Sequence, residues 1–447
     1  MDRIPRRRIG AVGCIAGLLA FAALAAPATA AGLVGARSAA RVYSGGPAAT
    51  AATIERSAAS ARLVFEMNLP VAVKAFVLAE PDRVIVDLPE IGFLLNPSAG
   101  RLPAPARNEA QPLVSAFRFG QFAIGRSRIV IDLAGPARIA RADVEPTPSG
   151  GAARLVIELA ATDADSFRAA ARAGRAAQLQ AAQAAGQATQ GVSPSAAAVP
   201  QATALPVVFL DPGHGGVDMG AVGGKDTYEK TIVLDFARQL AGRLEKSGKV
   251  RPLLTRRDDV FIPLAERVKI AREGGAALFM SLHADTLNES SVHGATVYTL
   301  SDRASDAEAA RLAAKENAAD RAGGLAETDE MVDVNDILFD LTRRETRTMS
   351  HAFAEGVVSE LRTAGDLNKN PIRSAAFVVL KAPDVPSVLL ELGYLSSSRD
   401  LAKLTSPEWR EQATEKVAQA IERYFATRPR SAEGLTASAD RIAGPAR

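Results

Sequence analysis

An apolar run that stops abruptly constrains this chain most. Val207-Val208-Phe209-Leu210 leads straight into Asp211-Pro212-Gly213-His214-Gly215-Gly216. The run reads as a short buried strand. Pro212 ends it, and the glycines around His214 free the backbone to turn and leave space beside the imidazole. Ligands of open α/β sheets gather at the carboxyl ends of strands, so such a fold puts His214 where a site is built. A glycine-rich turn with an incidental histidine is the bland alternative, and the stretch alone does not choose between the two.

The choice comes from the histidine count. The chain has four histidines, and a second one also closes an apolar run, Ala277-Leu278-Phe279-Met280-Ser281-Leu282-His283-Ala284-Asp285. Two strand-end histidines can converge on one metal, and a catalytic zinc site is often completed by a glutamate plus an open position. Glu229 is the best third candidate. It opens a segment whose Ile232, Val233, Phe236, Ala237 and Leu240 repeat at helical spacing. A first-turn glutamate is also favourable simply as a partner of the helix dipole. Glu391 stands inside Val388-Leu389-Leu390-Glu391-Leu392, where an unpaired carboxylate is costly. It is therefore a candidate general acid or base. His293, in a polar Ser-Val-His-Gly loop, and His351, in a helical stretch, have no motif around them.

Together, Asp-Pro-Gly-His-Gly-Gly, Glu229 at a helix start, Ser-Leu-His-Ala-Asp and Leu-Glu-Leu-Gly-Tyr-Leu resemble the zinc-dependent N-acetylmuramoyl-L-alanine amidases. These enzymes cut peptidoglycan during bacterial cell division. The resemblance covers about residues 205–427, with the motifs in the family's order. It implies one Zn2+ per catalytic domain held by His214, Glu229 and His283, with Glu391 as catalytic acid/base. The implied reaction is hydrolysis of the amide between N-acetylmuramic acid and L-alanine in peptidoglycan, releasing stem peptides. Two alternatives use the same residues less fully: a zinc carboxypeptidase or deacetylase acting on the same polymer, and a non-catalytic peptidoglycan-binding activator.

Upstream, residues 1–30 have the three parts of a secretory signal: Arg6-Arg7-Arg8, an apolar run, and Ala28-Thr29-Ala30 as cleavage site. Export to the periplasm follows, by a Sec or twin-arginine route. That segment carries all of the chain's formal charge of +3, so the remainder is neutral and has no basic nucleic-acid footprint. It also carries the single cysteine, Cys14, which leaves no disulfide or thiolate ligand after cleavage. No later stretch is apolar enough to span a membrane.

Residues 52–161 alternate with period two between turn signals, as expected for a small all-β sandwich. The phrases Arg83-Val84-Ile85-Val86-Asp87-Leu88 and Arg128-Ile129-Val130-Ile131-Asp132-Leu133 look like an internal repeat, one in each of two packed sheets. The region resembles the AMIN domain, which implies binding of wall material. Residues 162–204, Ala/Gln-rich and then Gly/Ser/Pro-bearing, read as a linker whose first part has helix propensity. Residues 205–427 alternate strands and helices, giving an α/β domain with a largely parallel sheet flanked by helices. Residues 428–447 form a polar tail.

Residues 301–348 are the odd part of this domain. A helix over 304–321 is followed by Gly323-Gly324, an acidic turn from Glu327, and a long helix over 335–364. Division amidases often carry an inserted helix that plugs the zinc site until an activator protein displaces it. The resemblance therefore implies autoinhibition at the division site. Glu316, Asp320 and Glu327 are the candidate plugging residues, and the sequence does not choose among them.

Overall fold

The computed structural model describes residues 46–147, 152–189, 205–224, 226–326, 337–363 and 367–427. The expected signal (1–30), the Gly/Ser/Pro part of the linker, Glu327 with its acidic turn, and the tail (428–447) lie outside the described residues.

The N-terminal region is a two-sheet sandwich. Its strands are β1 Ala48–Arg56, β2 Ser60–Met67, β3 Lys74–Leu78, β4 Arg83–Pro89, β5 Gly92–Phe93, β6 Val114–Ala123, β7 Arg126–Leu133, β8 Ala137–Pro146 and β9 Ala153–Ala161. One sheet runs β5-β1-β2-β9-β8, the other β3-β4-β7-β6. Leu63, Phe65, Leu155 and Ile157 of the first meet Val84, Val86, Ile129 and Ile131 of the second in one core. The repeated phrases do not fall one in each sheet, as expected from the sequence. They are β4 and β7, antiparallel neighbours in the second sheet, with Asp87 opposite Arg128 and Arg83 opposite Asp132. Antiparallel pairing of two copies of Arg-x-x-x-Asp puts unlike charges across from each other, which parallel stacking of separate sheets would not.

The first part of the linker is helix α1, Ala164–Thr189. Asp163 caps it by accepting from the Ser166 amide at 2.8 Å. It packs on the sandwich through buried Phe167 and Ala171. At Gly174 an added Cβ would lie 2.4 Å from the Val77 carbonyl oxygen, so only glycine allows this approach.

The C-terminal region contains β10 Val207–Pro212, β11 Val222–Gly223, β12 Thr227–Tyr228, α2 Glu229–Ser247, β13 Arg251–Leu254, α3 Leu264–Glu273, β14 Leu278–His283, β15 Ala295–Leu300, α4 Ala307–Glu316, α5 Ala319–Ala322, α6 Ile337–Leu361, β16 Leu367–Ala375, β17 Ser387–Glu391, α7 Ser398–Leu404 and α8 Pro407–Ala426. Its main sheet has the order β13-β10-β14-β17-β15-β16. Every neighbouring pair is parallel except β15 with β17. Helices α2, α6 and α8 cover one face through Phe236, Leu240, Phe353, Val357, Val417 and Ile421. On the other face α3 and α4 pack around Phe209, Phe279, Tyr298 and Phe377. The apolar stretch 375–380 is not a strand: β16 ends at Ala375, and Val378–Leu380 is a 3-10 turn.

The two regions touch directly. Phe122 stacks on Phe261 at 5.8 Å, and the Phe261 amide donates to the Gln121 carbonyl at 3.2 Å.

Candidate metal centre

The site stands at the carboxyl edge of the main sheet. Strands β10 and β14 are parallel neighbours, and β14 and β17 align His283 with Glu391. Just past β10, His214 takes a left-handed conformation (φ 57°) between Gly213 and Gly215. Few residues other than glycine adopt this, histidine among them, and the surrounding loop holds it there. Two buried guanidinium groups clamp the loop: Arg267 donates to the carbonyls of Pro212 (2.9 Å) and His214 (2.7 Å), and Arg256 to those of Pro212 (2.9 Å) and Gly213 (2.8 Å). Arg267 is balanced by Asp211 at 2.8 Å, whose other partners are Thr255 and Ser281.

His214 and His283 face each other edge-on, with ring centroids 5.0 Å apart. Glu229, wholly buried at the start of α2, lies between them. Its Oε2 is 3.1 Å from His214 Nε2 and its Oε1 is 3.1 Å from His283 Nδ1. The same oxygens accept from the amides of Ala221 and Ala284, each at 2.8 Å. His214 Nδ1 contacts Asp218 at 2.9 Å. A carboxylate only accepts, so Nδ1 carries the proton and Nε2 presents its lone pair inward. Two glycines make room: an added Cβ at Gly213 would lie 2.4 Å from the His283 ring, and one at Gly220 2.6 Å from that of His214.

A fourth group reaches the same point. Glu316, last residue of α4, places Oε2 3.2 Å from His283 Nδ1 and 3.5 Å from His214 Nε2. Donor atoms of His214, His283 and Glu316 all lie within 4.8 Å of one another, as a shared cation requires. His214 Nε2, Glu316 Oε1 and Glu391 Oε1 are buried and make no hydrogen bond. Two imidazoles and two carboxylates converging on one buried point form a donor set that suits a borderline-soft divalent ion such as zinc.

The other acidic residues divide clearly. Asp320 points elsewhere: it accepts from the Leu264 amide at 2.9 Å and so caps α3. Glu391 is fully buried at the end of β17 and accepts from the Asp285 amide at 3.0 Å. Asp285 in turn pairs with Lys315, the residue before Glu316. His293 and His351 stand apart, against Ser291 and Glu355.

The electrostatics follow from burial and neighbours. Burial alone would raise the Glu229 carboxyl, but the two histidines outweigh it and hold it well below the usual range. Burial pushes Glu316 up to about 7 despite both histidines. Burial, then Asp285 and Glu229, push Glu391 well above the usual range. A carboxyl so placed is suited to moving protons near neutral pH.

Sequence reasoning assigned no role to Asp218, Asp285, Lys315, Arg256 or Arg267. Asp218 was the most findable, four residues after His214 in the same glycine-rich loop.

Strand-end histidines, a buried acidic pair and an α/β scaffold behind a β-sandwich define a hydrolase domain with a separate accessory domain. Residues 208–423 match the N-acetylmuramoyl-L-alanine amidase family and residues 51–159 the AMIN domain. N-acetylmuramoyl-L-alanine amidase AmiC of Escherichia coli O6:H1 is 33% identical over 370 residues, 82% of this chain and 86% of that protein. AmiC of Neisseria meningitidis serogroup B is 33% identical over 386 residues, covering 85% and 91%. AmiA of Escherichia coli K12 is 39% identical over 220 residues, covering 49% and 76%. The chain belongs to the N-acetylmuramoyl-L-alanine amidase family and carries an AMIN domain. Its activity is hydrolysis of the muramoyl–L-alanine amide of peptidoglycan.

Proposed function

We propose that His214, Glu229 and His283 hold one zinc ion, that Glu391 is the catalytic acid/base, and that Glu316 closes the site until the α4 segment is displaced. A catalytic zinc site keeps three protein ligands and one open position. The observation that carries the closed state is the Glu316 carboxylate lying against both histidines, where a substrate oxygen would otherwise sit.

When bound, zinc supplies Lewis-acid polarisation of the scissile carbonyl and acidifies water. The protein's own residues do the rest. Asp218 fixes the His214 tautomer. Glu391 takes a proton from the attacking water and passes it to the departing L-alanine amine. The carbon–nitrogen bond breaks as the carbon–oxygen bond forms, and the glycan keeps the new carboxylate.

Residues 1–30 serve as an export signal, cleaved to give a periplasmic enzyme. No helix among the described residues is long and apolar enough to cross a membrane. The AMIN domain (about 52–161) binds wall material, residues 162–204 connect it to the catalytic domain (205–427), and an activator protein at the division site displaces the segment within 301–348. Zinc-loaded enzyme with Glu316→Ala is expected to release stem peptides from purified peptidoglycan without activator, well above the parent. Equal rates would remove the plug from the account. Glu391→Ala is expected to abolish release with zinc content unchanged.

A further inference from the structure

The outer face of the AMIN domain's second sheet is apolar where a free sheet would be polar. Ile85 of β4 and Val130 of β7 point away from the sandwich core, yet both are fully buried. They join Leu78, Phe122, Val217, Phe261, Leu325 and Ala326 in a separate cluster. Beside them, Arg83 and Arg128 are 1% and 2% exposed, although arginine is almost never fully buried unless paired. Arg128 is paired with Asp87 through two contacts, at 2.6 and 2.9 Å, and lies over the Phe122 ring.

What covers this face is the stretch immediately after Glu316. Arg83 donates to the Arg321 carbonyl. Arg128 Nη1 donates to the carbonyls of Gly323 (3.1 Å) and Gly324 (2.9 Å). Gln178 of α1 donates to the Gly324 carbonyl at 3.0 Å and accepts from the Ala326 amide at 2.8 Å. Gly323 and Gly324 lie just past α5, and Arg321, whose carbonyl also accepts from the Gly324 amide at 2.9 Å, lies in its last turn, so donors from the sheet and α1 complete the polar contacts of this turn. Gly324 has φ +76°, and an added Cβ there would lie 2.7 Å from Ile85 Cδ1, so the turn is fitted to this sheet.

The gripped turn is tied to the plug over a few residues. Gly323 and Leu325 amides donate back to the carbonyls of Ala319 and Asp320. Asp320 is fixed on α3, and the Asn317 side chain bonds both Ala376 and Val378. Glu316 and the gripped turn thus belong to one short, internally hydrogen-bonded segment.

We propose that the outer face of the β3-β4-β7-β6 sheet, with α1, is a latch for residues 321–326, so that the AMIN domain itself holds the enzyme closed. This rests on the plug reading of Glu316 and extends it: the plug opens only when the sheet lets go of the turn. The wall-binding domain is then part of the inhibitory device.

The test uses the mature full-length chain loaded with zinc. One variant carries Arg83→Ala with Arg128→Gln; a second carries Gln178→Ala on α1, outside the sheet. Activator-free peptidoglycan hydrolysis and hydrogen exchange of 307–326 are measured, with Glu316→Ala as reference and exchange in β2 and β9 as a check on folding. Loss of the three arginine-to-carbonyl contacts predicts at least about a tenfold rise in the open population for the arginine variant. A smaller rise is expected for Gln178→Ala, with faster exchange at 319–326 in both. Adding either change to Glu316→Ala should give no further rise. If Glu316→Ala activates while both latch variants keep parental hydrolysis and exchange, the latch is wrong and the plug stands. If Glu316→Ala does not activate, the plug reading fails, and parental exchange at 319–326 in the latch variants would remove the latch as well. Should the arginine variant lose protection in β2 and β9, Gln178→Ala decides alone by the same readings.

Discussion

Glu229 and Glu316 face the same two histidines, and the molecule holds them in opposite ways. Glu229 opens α2, accepts two backbone amides, and is kept ionised by its surroundings. Glu316 ends α4, leaves Oε1 without a hydrogen bond, and is pushed up to about 7 by burial. The first is tied into the backbone around the two histidines. The second is delivered by a segment fastened at Asn317, Asp320 and 321–326. Backbone satisfaction therefore distinguishes the two carboxylates more sharply than distance to the histidines does.

The largest expected effect falls outside the pair. Glu391→Gln should lower hydrolysis about a thousandfold with zinc retained, since general acid–base groups contribute roughly 10²–10⁴. A variant with normal turnover would return the proton-transfer role to one of the two compared glutamates.

The resident side is also expected to depend on its buried supports. Asp211→Asn strands the Arg267 charge and should cost about 3–5 kcal/mol in denaturant unfolding at pH 7. The Asp211 carboxyl is buried, but Arg267, Thr255 and Ser281 outweigh that and hold it below its usual value. Its contribution is fully present above the unfolded carboxyl pKa of about 3.9 and is lost as pH falls through the lower folded value. The gap between parent and variant should therefore shrink in acid; a constant gap would mean packing, not charge, is at work.

Asp218→Asn keeps a hydrogen-bonding side chain but removes the charge behind His214. Zinc affinity, read by chelator competition, should fall about 10–100-fold. No change would show that the resident site does not rely on this support. The smallest effect belongs to the removable side. Asp320→Ala removes a helix cap and should cost about 1 kcal/mol of stability, with a slight rise in activator-free hydrolysis. A fall in hydrolysis would show that Asp320 supports the active form instead.

The resident half was the legible half. Strand-end His214 and His283, Glu229 at a helix start and Glu391 in an apolar run each break a hydrophobic pattern, and the structure brings them to one sheet edge. The removable half gives no such signal. Glu316 and Asp320 are four residues apart, which on a continuous helix is one face. The helix breaks at Asn317 and Ala318 without a glycine or proline, and that break sends one carboxylate to the histidines and the other to α3. Edge strand β16 went unread because Asn368, Lys369, Asn370 and Pro371 interrupt any alternation. The contact between the domains left one trace: Ile85 and Val130, apolar residues on the outward face of a sandwich strand.

The most direct measurement compares Glu229→Gln with Glu316→Gln, side by side, for zinc content and activator-free release of stem peptides. Glu229→Gln is expected to lose zinc and activity, whereas Glu316→Gln is expected to keep zinc and gain activity. Loss of zinc and activity in both would make Glu316 a permanent ligand and contradict the removable plug.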